Sequence, residues 1–370
     1  MVSTVRSSTD VSVFVPDLKG GGAERVMVRL ANGLSASGAA VDLVCLRAEG
    51  MTAQLLSPEV ELVELGGRMR NMLPRLVGHL RHRRPLGFLI GYDHHCALPI
   101  LGARIARPQM RVVATVHTDL AAWLRRDGAG LAAKRALVKL VFPMADHVVA
   151  VSEGITQDLK GWSSGLRRKV CTIPNPVLSD EIKQMAQSPA AHPWLQSKTV
   201  PVVLALGRLT YPKDWPTLIR AFASVRSCIA VRLILLGEGP QRDELLALAE
   251  TLGVAADVSL PGWAVNPYAY IARADVVAHS SLLEGLPTVL IEALGLGVAV
   301  VATDCSSGVR EILDGGRWGR IVPNRRPEEL GAAVLAALGE RHAGVDAARS
   351  VWRRFSASAS VSAYQSLLLG

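Results

Sequence analysis

Short apolar runs rich in valine, leucine and isoleucine alternate with glycine-bearing turns and helical stretches along this chain, and the alternation runs through twice. That pattern admits few solutions. A strand, a glycine-rich turn, a helix and a further strand form the opening unit of an open parallel sheet. In the first round "VSVFVPD" (11–17) predicts a strand. "LKGGGAERVMVRLANGLSASG" follows, with Val26, Leu30, Ala31 and Leu34 at helical spacing and Gly38 past the end. "VDLVCL" (41–46), "GFLIGY" (87–92), "RVVATVH" (111–117), "HVVAVS" (147–152) and "KVCTIPN" (169–175) continue as strands.

Residues 176–199 show no strand pattern and hold Pro189 and Pro193, so they read as a connection between domains. The pattern then restarts with strands in "VPVVLALGRL", "VRLILLGEGP", "DVSLPGW", "DVVAHSS" and "VAVVAT". Helices are predicted in "WPTLIRAFASV", "QRDELLALAETLG", "NPYAYIARA" and "PTVLIEALGLG". The expected layout is α/β with two domains, over 1–178 and 199–354, and a final weak helix (355–370) crossing back to the first. A length of 370 residues fits two cores better than one.

Five cysteines lie far apart with no C-x-x-C pair, against a zinc site or disulfide framework and in keeping with a reducing cytosol. "MVSTVRSSTDVSVFVPD" has no signal-peptide core, and no run is long and apolar enough to span a bilayer. The net charge of +9 is lopsided. Residues 1–178 hold 23 Lys/Arg against 14 Asp/Glu, and the remainder holds 18 of each. The first half is therefore suited to an anionic partner. Nucleic acid fits poorly, because aromatics are only 5% and are not interleaved with the arginines. A membrane surface fits better. "GGRMRNMLPRLVGHLRHRRPLGF" (66–88) and "WLRRDGAGLAAKRALVKLVF" (123–142) mix arginine or lysine with apolar residues, although each would also suit a surface helix with its apolar side in the core.

Three clusters carry chemistry. In "LLEGLPTVLIEALGLG" the free amides of the first helical turn, Leu286 to Val289 with Pro287 and Thr288 between them, make an anion site. Glu284 and Gly285 stand before it, and Glu292 sits a turn and a half deeper among apolar neighbours. The carboxylates suit sugar and ribose hydroxyls; a helix cap at Glu284 and a surface position for Glu292 are the plain alternative. In "LGRLTYPKDW" Arg208 follows a strand and Lys213 is expected at the start of the next helix, a pair suited to a diphosphate or else two solvated loop cations. In "KGGGAER" Gly20, Gly21 and Gly22 let the backbone approach a ligand, but the stretch matches neither G-x-G-x-x-G nor a P-loop. His94 and His95 in "DHH" lack an evident third ligand, and no Asp-x-Asp occurs, so no metal or other cofactor is expected. His279 in "DVVAHSS" reads as a packed strand residue.

Taken in order, "GGAER", "VSEGI", "IPNP", "LGRL…KD…LIRAF", "LLGEGP", the E-x7-E pair "EGLPTVLIE" and "ALGLGVAVVATDCSSGVREIL" resemble the retaining GT-B glycosyltransferases of family 4, from Gly20 to about Gly319. The resemblance implies two Rossmann-like domains facing each other across a deep cleft. It implies a nucleotide-sugar donor, UDP-linked by preference, and a glycan acceptor, such as one carried on a polyprenyl diphosphate, at the cytoplasmic face of a membrane. By matching motif, Arg208 and Lys213 would neutralise the donor diphosphate, and Leu286, Pro287, Thr288 and Val289 would cradle its distal phosphate. Glu284 with Gly285 would hold the donor sugar, Glu292 the ribose, and Gly21 and Gly22 would close over the phosphates. His117 would stand near the reaction centre. Asn175 would be structural, and Asp93 and Glu24 are the acceptor candidates. A nucleotide-sugar epimerase or a sugar phosphorylase shares the two-domain plan; the phosphorylase would need a pyridoxal-binding lysine that Lys213 alone does not show.

Overall fold

A computed structural model of the chain describes residues 9–19, 22–91, 96–118, 136, 138–340 and 344–370. Gly20, Gly21, Asp93, His94, His95 and most of the 123–142 segment lie outside the described residues. The chain forms two compact units, residues 1–176 with 357–370, and residues 177–356.

The sheet of the first unit contains β1 (Val11–Phe14), β2 (Val41–Cys45), β3 (Glu61–Glu64), β4 (Gly87–Ile90), β5 (Arg111–Val116), β6 (His147–Ala150) and β7 (Val170–Thr172). They lie in the order β3-β2-β1-β4-β5-β6-β7 and every pairing is parallel. Central strands such as β1 and β4 are buried along their whole length, as parallel strands covered on both faces must be. The helix Gly22–Ala36 seals one face through Val26, Met27, Leu30 and Leu34. Beside it lies the final helix, Ala357–Leu369, whose Val361, Tyr364 and Leu368 join the same core.

The second unit repeats the plan with β8 (Val202–Leu206), β9 (Arg232–Leu236), β10 (Val258–Gly262), β11 (Val276–His279), β12 (Ala299–Thr303) and β13 (Arg320–Val322). Their order is β10-β9-β8-β11-β12-β13, again parallel. This is the order of a Rossmann sheet. In each unit the order turns outward at the first strand, between β1 and β4 and between β8 and β11. Ligands of such sheets bind beyond the carboxyl ends of the strands at that point.

Two expectations need correction. Residues 177–199 are part of the second unit and carry the helices Asp180–Gln187 and Pro193–Gln196. Long-range bonds hold them: Asn266 Nδ2 donates to Met185 O at 2.8 Å, Tyr270 Oη to Ala191 O at 3.1 Å, and Arg273 Nη1 to Ala186 O at 3.0 Å. Pro193 opens one helix instead of breaking the chain. The second correction concerns the basic segment 66–88. It forms the helix Met72–Arg83, whose Met72, Leu76 and Leu80 are buried in the core, so its apolar side is already occupied.

Arg83, grouped with Arg81 and Arg84 in that segment, is itself buried. Its Nε lies 3.5 Å from Asp42 Oδ2 and its Nη2 pairs with Glu61, while His79 Nε2 lies 3.1 Å from the same Asp42 oxygen. Asp42 is fully buried in β2, so its charge depends on these partners. Arg83→Ser should therefore lower unfolding stability by about 3–5 kcal/mol, as breaking a buried pair does. Arg81→Ser and Arg84→Ser should each stay within about 0.5 kcal/mol of the parent. Urea denaturation of the three variants decides it.

Candidate active site

The loops at the switch point of the second unit bring the predicted residues of that unit together. After β8 the chain runs through Gly207 and Arg208 into a short turn, Tyr211–Lys213, and then the helix Trp215–Cys228. After β11 it runs through Ser280–Pro287 into the helix Thr288–Gly295. Hydrogen bonds knit the two loops: Ser280 Oγ donates to Lys213 O at 2.7 Å, and the Leu282 amide to Pro212 O at 2.8 Å. From the end of β12, Thr303 Oγ1 donates to Ser281 O at 2.7 Å. The glycines permit this closeness. Gly237 holds φ 148°, and a Cβ there would come within 1.9 Å of Gly207 O. A Cβ on Gly308 would come within 2.0 Å of Gly285 O.

Glu284 is the hub. Its Oε1 pairs with Lys213 Nζ, accepts from Ser281 Oγ at 2.9 Å and lies 3.4 Å from His279 Nε2. Burial would push this carboxyl up, but Lys213 and His279 outweigh it and hold the group well below the usual carboxylate range. Because the folded carboxyl is lowered, its contribution to stability is fully present above the ordinary carboxylate pKa. It is lost only in acid, as pH falls through the folded value. Glu284 does not cap the following helix, whose N-cap is Pro287 and which has no side-chain cap bond. Glu292 is only 4% exposed, so it is not a surface residue.

Lys213 closes its own turn and does not begin the next helix; Asp214 separates the two, in the left-handed region at φ 48°. Arg208 is exposed and makes no side-chain hydrogen bond or ion pair among the described residues. At the helix mouth the available amides are those of Leu286, Thr288 and Val289, because Pro287 has no N–H. In the first unit, Gly22 opens the helix Gly22–Ala36, and Glu24 is buried in its first turn at 3% exposure. His117 follows β5, is buried, and its Nε2 lies 2.9 Å from Thr115 Oγ1. Asn175, at the end of the first unit, is also buried. Among the described residues no group of three or more His, Cys, Asp or Glu side chains is placed to hold a metal ion, and no helix is long and apolar enough to cross a membrane.

Sequence reading missed three contributors. His279 is packed in its strand, as expected, yet it also reaches Glu284. Ser281 carried a usable signal, since it lies three residues before Glu284 on the same loop. Arg325, after β13, donates from Nη2 to Tyr211 Oη at 2.7 Å and brings a further guanidinium to the Tyr211–Lys213 turn. That contact spans 114 residues and leaves no local trace.

Two Rossmann sheets, one with cations, a carboxylate and a helix mouth at its switch point, define a GT-B fold. A family model described as Glycosyltransferase Family 4 matches residues 20–181, and one described as Glycosyl transferases group 1 matches residues 200–340. The chain belongs to the family 4 glycosyltransferases.

Among similar proteins is the N-acetylgalactosamine-N,N'-diacetylbacillosaminyl-diphospho-undecaprenol 4-alpha-N-acetylgalactosaminyltransferase of Campylobacter jejuni. It is 33% identical over 222 residues, which are 60% of this chain and 59% of that protein. Another is the lipopolysaccharide core biosynthesis glycosyltransferase LpsE of Rhizobium meliloti, 30% identical over 195 residues, 52% of this chain and 54% of that protein. The chain thus spans less than two thirds of the length of either relative. Of solved structures, Anabaena HepE in complex with UDP and glucose superposes with a TM-score of 0.78 at 19% identity, covering 97% of this chain and 99% of that one. WaaG, a glycosyltransferase involved in lipopolysaccharide biosynthesis, gives 0.76 at 16% identity, covering 97% of this chain and 100% of that one.

Burial and the nearby Glu284 charge push the Cys305 thiol up to about 12. Cys228 is exposed. Iodoacetamide at neutral pH should therefore alkylate Cys228 first and leave Cys305 largely unmodified until denaturant is added, because the thiolate is the nucleophile. Peptide mass spectrometry over a time course checks it; equal rates would contradict the burial of the Glu284 cluster.

Proposed function

We propose that this chain is a retaining, metal-independent glycosyltransferase that moves a sugar from a nucleoside diphosphate donor, a UDP-sugar by preference, to a lipid-linked or polysaccharide acceptor. The observation that carries the reading is the gathering of Arg208, Lys213, Glu284 and the mouth of the Thr288–Gly295 helix at the switch point of one sheet. Support for the donor comes from HepE, crystallised with UDP and glucose, and for the acceptor from the Campylobacter relative, whose name specifies a diphospho-undecaprenol carrier.

In this reading Arg208 forks onto the diphosphate. Lys213 has three N–H donors, so it can keep Glu284 and still give a hydrogen bond to a phosphate oxygen. The helix mouth takes the distal phosphate. As the sugar–phosphate bond breaks, negative charge grows on the leaving diphosphate, and these fixed donors stabilise it without a cation. Glu284 accepts from hydroxyls of the donor sugar, Gly285 gives it room, and Glu292 accepts from the ribose. For the first unit the proposed roles of His117 at the donor sugar and of Gly21 and Gly22 at the phosphates rest on motif resemblance; Asp93, which follows the run "GFLIGY", and Glu24 are proposed to serve the acceptor. The exposed arginines of 66–88, Arg83 excluded, favour attachment to the inner face of an anionic membrane.

Release of UDP or GDP from a panel of nucleotide sugars, with lipid-linked and soluble acceptors, tests the reading. NMR of the product's anomeric centre reports retention. Arg208→Ala and Lys213→Ala should each lower kcat by about 10²-fold or more, because each removes charge stabilisation made in the transition state. Turnover within about twofold of wild type for both would remove the assignment. Glu292→Gln should mainly raise the donor KM, whereas Glu284→Gln should mainly lower kcat, since positive charge develops beside it.

Activity should also persist in excess EDTA. Loss in chelator, restored by Mg²⁺ or Mn²⁺, would show that a cation, and not Arg208 with Lys213, stabilises the leaving diphosphate.

A further inference from the structure

Glu284 meets its neighbours through one oxygen. Lys213 Nζ, Ser281 Oγ at 2.9 Å and His279 Nε2 at 3.4 Å all fall on Oε1. Among the described residues Oε2 makes no hydrogen bond, and the side chain keeps 18% of its surface open. One oxygen is thus occupied by protein and the other is available as a directed acceptor.

The three donors are not equivalent. A lysine ammonium on a four-carbon stem, and a serine hydroxyl, can each rotate to serve either oxygen. The His279 ring cannot. It is the last residue of β11, in a strand buried throughout and paired with β8 and β12. Its other nitrogen, Nδ1, is buried with no hydrogen-bond partner. A neutral imidazole carries one N–H, and among the described residues the only anion in reach of the ring, Glu284, lies beside Nε2, so the proton belongs there. A second proton would bury an unsatisfied donor on Nδ1 and add a cation beside Lys213. Burial and then Lys213 hold His279 below its ordinary pKa, against the pull of Glu284. Among the described residues the titratable groups that act on it are Lys213 from the 211–213 turn and Glu284 from the loop after β11; Cys305 after β12 lies near Glu284 and Lys213, and its thiol stays neutral.

We propose that His279 is a positioning residue for Glu284: as a neutral Nε2–H donor fixed by the sheet, it pins Oε1 and leaves Oε2 as the acceptor for a hydroxyl of the donor sugar. This rests on the glycosyl-transfer reading for the identity of the hydroxyl, but the pinning itself does not. A carboxylate free to turn would present either oxygen, and part of the orientation needed in the transition state would be lost.

Two measurements test it, the first without turnover. In ¹⁵N-histidine NMR of the donor-free protein, His279 should show the Nε2–H tautomer and remain neutral at about pH 6, where exposed imidazoles are largely protonated. An Nδ1–H tautomer or an ordinary titration overturns the proposal. The second is kinetic. His279→Leu should lower kcat roughly ten- to a hundredfold, the effect of losing one hydrogen bond to a charged group, with donor KM changed far less. The acid limb of its kcat profile should move to higher pH, because Glu284 loses a donor that favours its charged form.

His279→Gln, whose amide nitrogen can occupy the place of Nε2, should retain most activity. His279→Asn, whose amide stands nearer the place of Nδ1, should behave like the leucine variant. Circular dichroism and thermal melts identify the folded variants. A folded leucine variant with wild-type kcat and an unmoved acid limb sinks the proposal, as does a folded glutamine variant as slow as the leucine one. If the wild type itself turns over no nucleotide sugar, the transfer reading falls, and the NMR tautomer alone then decides the His279–Glu284 contact.

Discussion

Taking a carboxylate out of water costs several kcal/mol unless partners are placed to meet it. At the carboxyl edge of the second sheet that requirement falls on Glu284, and the surrounding loops are arranged by meeting it. Lys213 comes from the loop after β8, His279 and Ser281 from the end of β11, and Thr303 from the end of β12 steadies the Ser281 backbone. The ion pair does more than neutralise a charge. With the Ser280 and Leu282 bonds to Lys213 O and Pro212 O, it fastens together the two loops that border the switch point. In the proposed reading a donor arriving there would meet Lys213 and the helix-mouth amides already held in place, so little of that side would remain to be ordered on binding.

The parts legible in the sequence are those set by local pattern. Strand runs, glycine turns and helix starts placed Arg208 and Glu284 on the correct loops and Glu292 on the correct helix, because spacing along the chain fixes position within a β–loop–α unit; Lys213, expected at a helix start, instead closes the turn before that helix. Two edge strands escaped. β3 reads "ELVE" and leaves Leu62 38% exposed, and β13 covers only Arg320–Val322, so neither has the apolar run of a central strand. His279 was legible as a strand residue but not as a neighbour of Glu284. Strand alternation says which face a side chain takes, not where a loop will fold back over the strand's end. The pairing of Arg83 with Asp42 spans 41 positions of sequence and is equally invisible to periodicity.

The basic first half illustrates how net charge can mislead. Several of its arginines are spent within the unit as staples for backbone carbonyls. Arg104 donates to Met144 O at 2.7 Å and to Pro108 O and Met110 O at 2.9 Å, besides pairing with Asp146 at 2.8 Å. Arg107 reaches Pro85 O at 2.9 Å. The planar guanidinium is suited to this because its five donors can serve several acceptors at once. Fewer of these guanidinium groups are open to a partner than the count implies; among the described residues of the 66–88 segment, Arg68, Arg70, Arg75, Arg81 and Arg84 remain exposed.

The helix Ala357–Leu369 belongs to the first unit although the whole second unit precedes it in the chain. Its fit is close: Ser360 Oγ donates to Pro174 O at 2.8 Å, Arg111 Nη2 to Gly370 O at 2.8 Å, and Tyr364 is 1% exposed. During synthesis the ribosome delivers the helix only after the whole second unit, so the sheet of the first unit must wait with part of its apolar face uncovered while the later sheet is made. Domains generally fold as they emerge; here the first to emerge is the last to be finished, and the interval is when that face is open to aggregation or to a chaperone. A stop codon between the second unit and this helix would for the same reason wound the first unit and leave the sheet of the second intact.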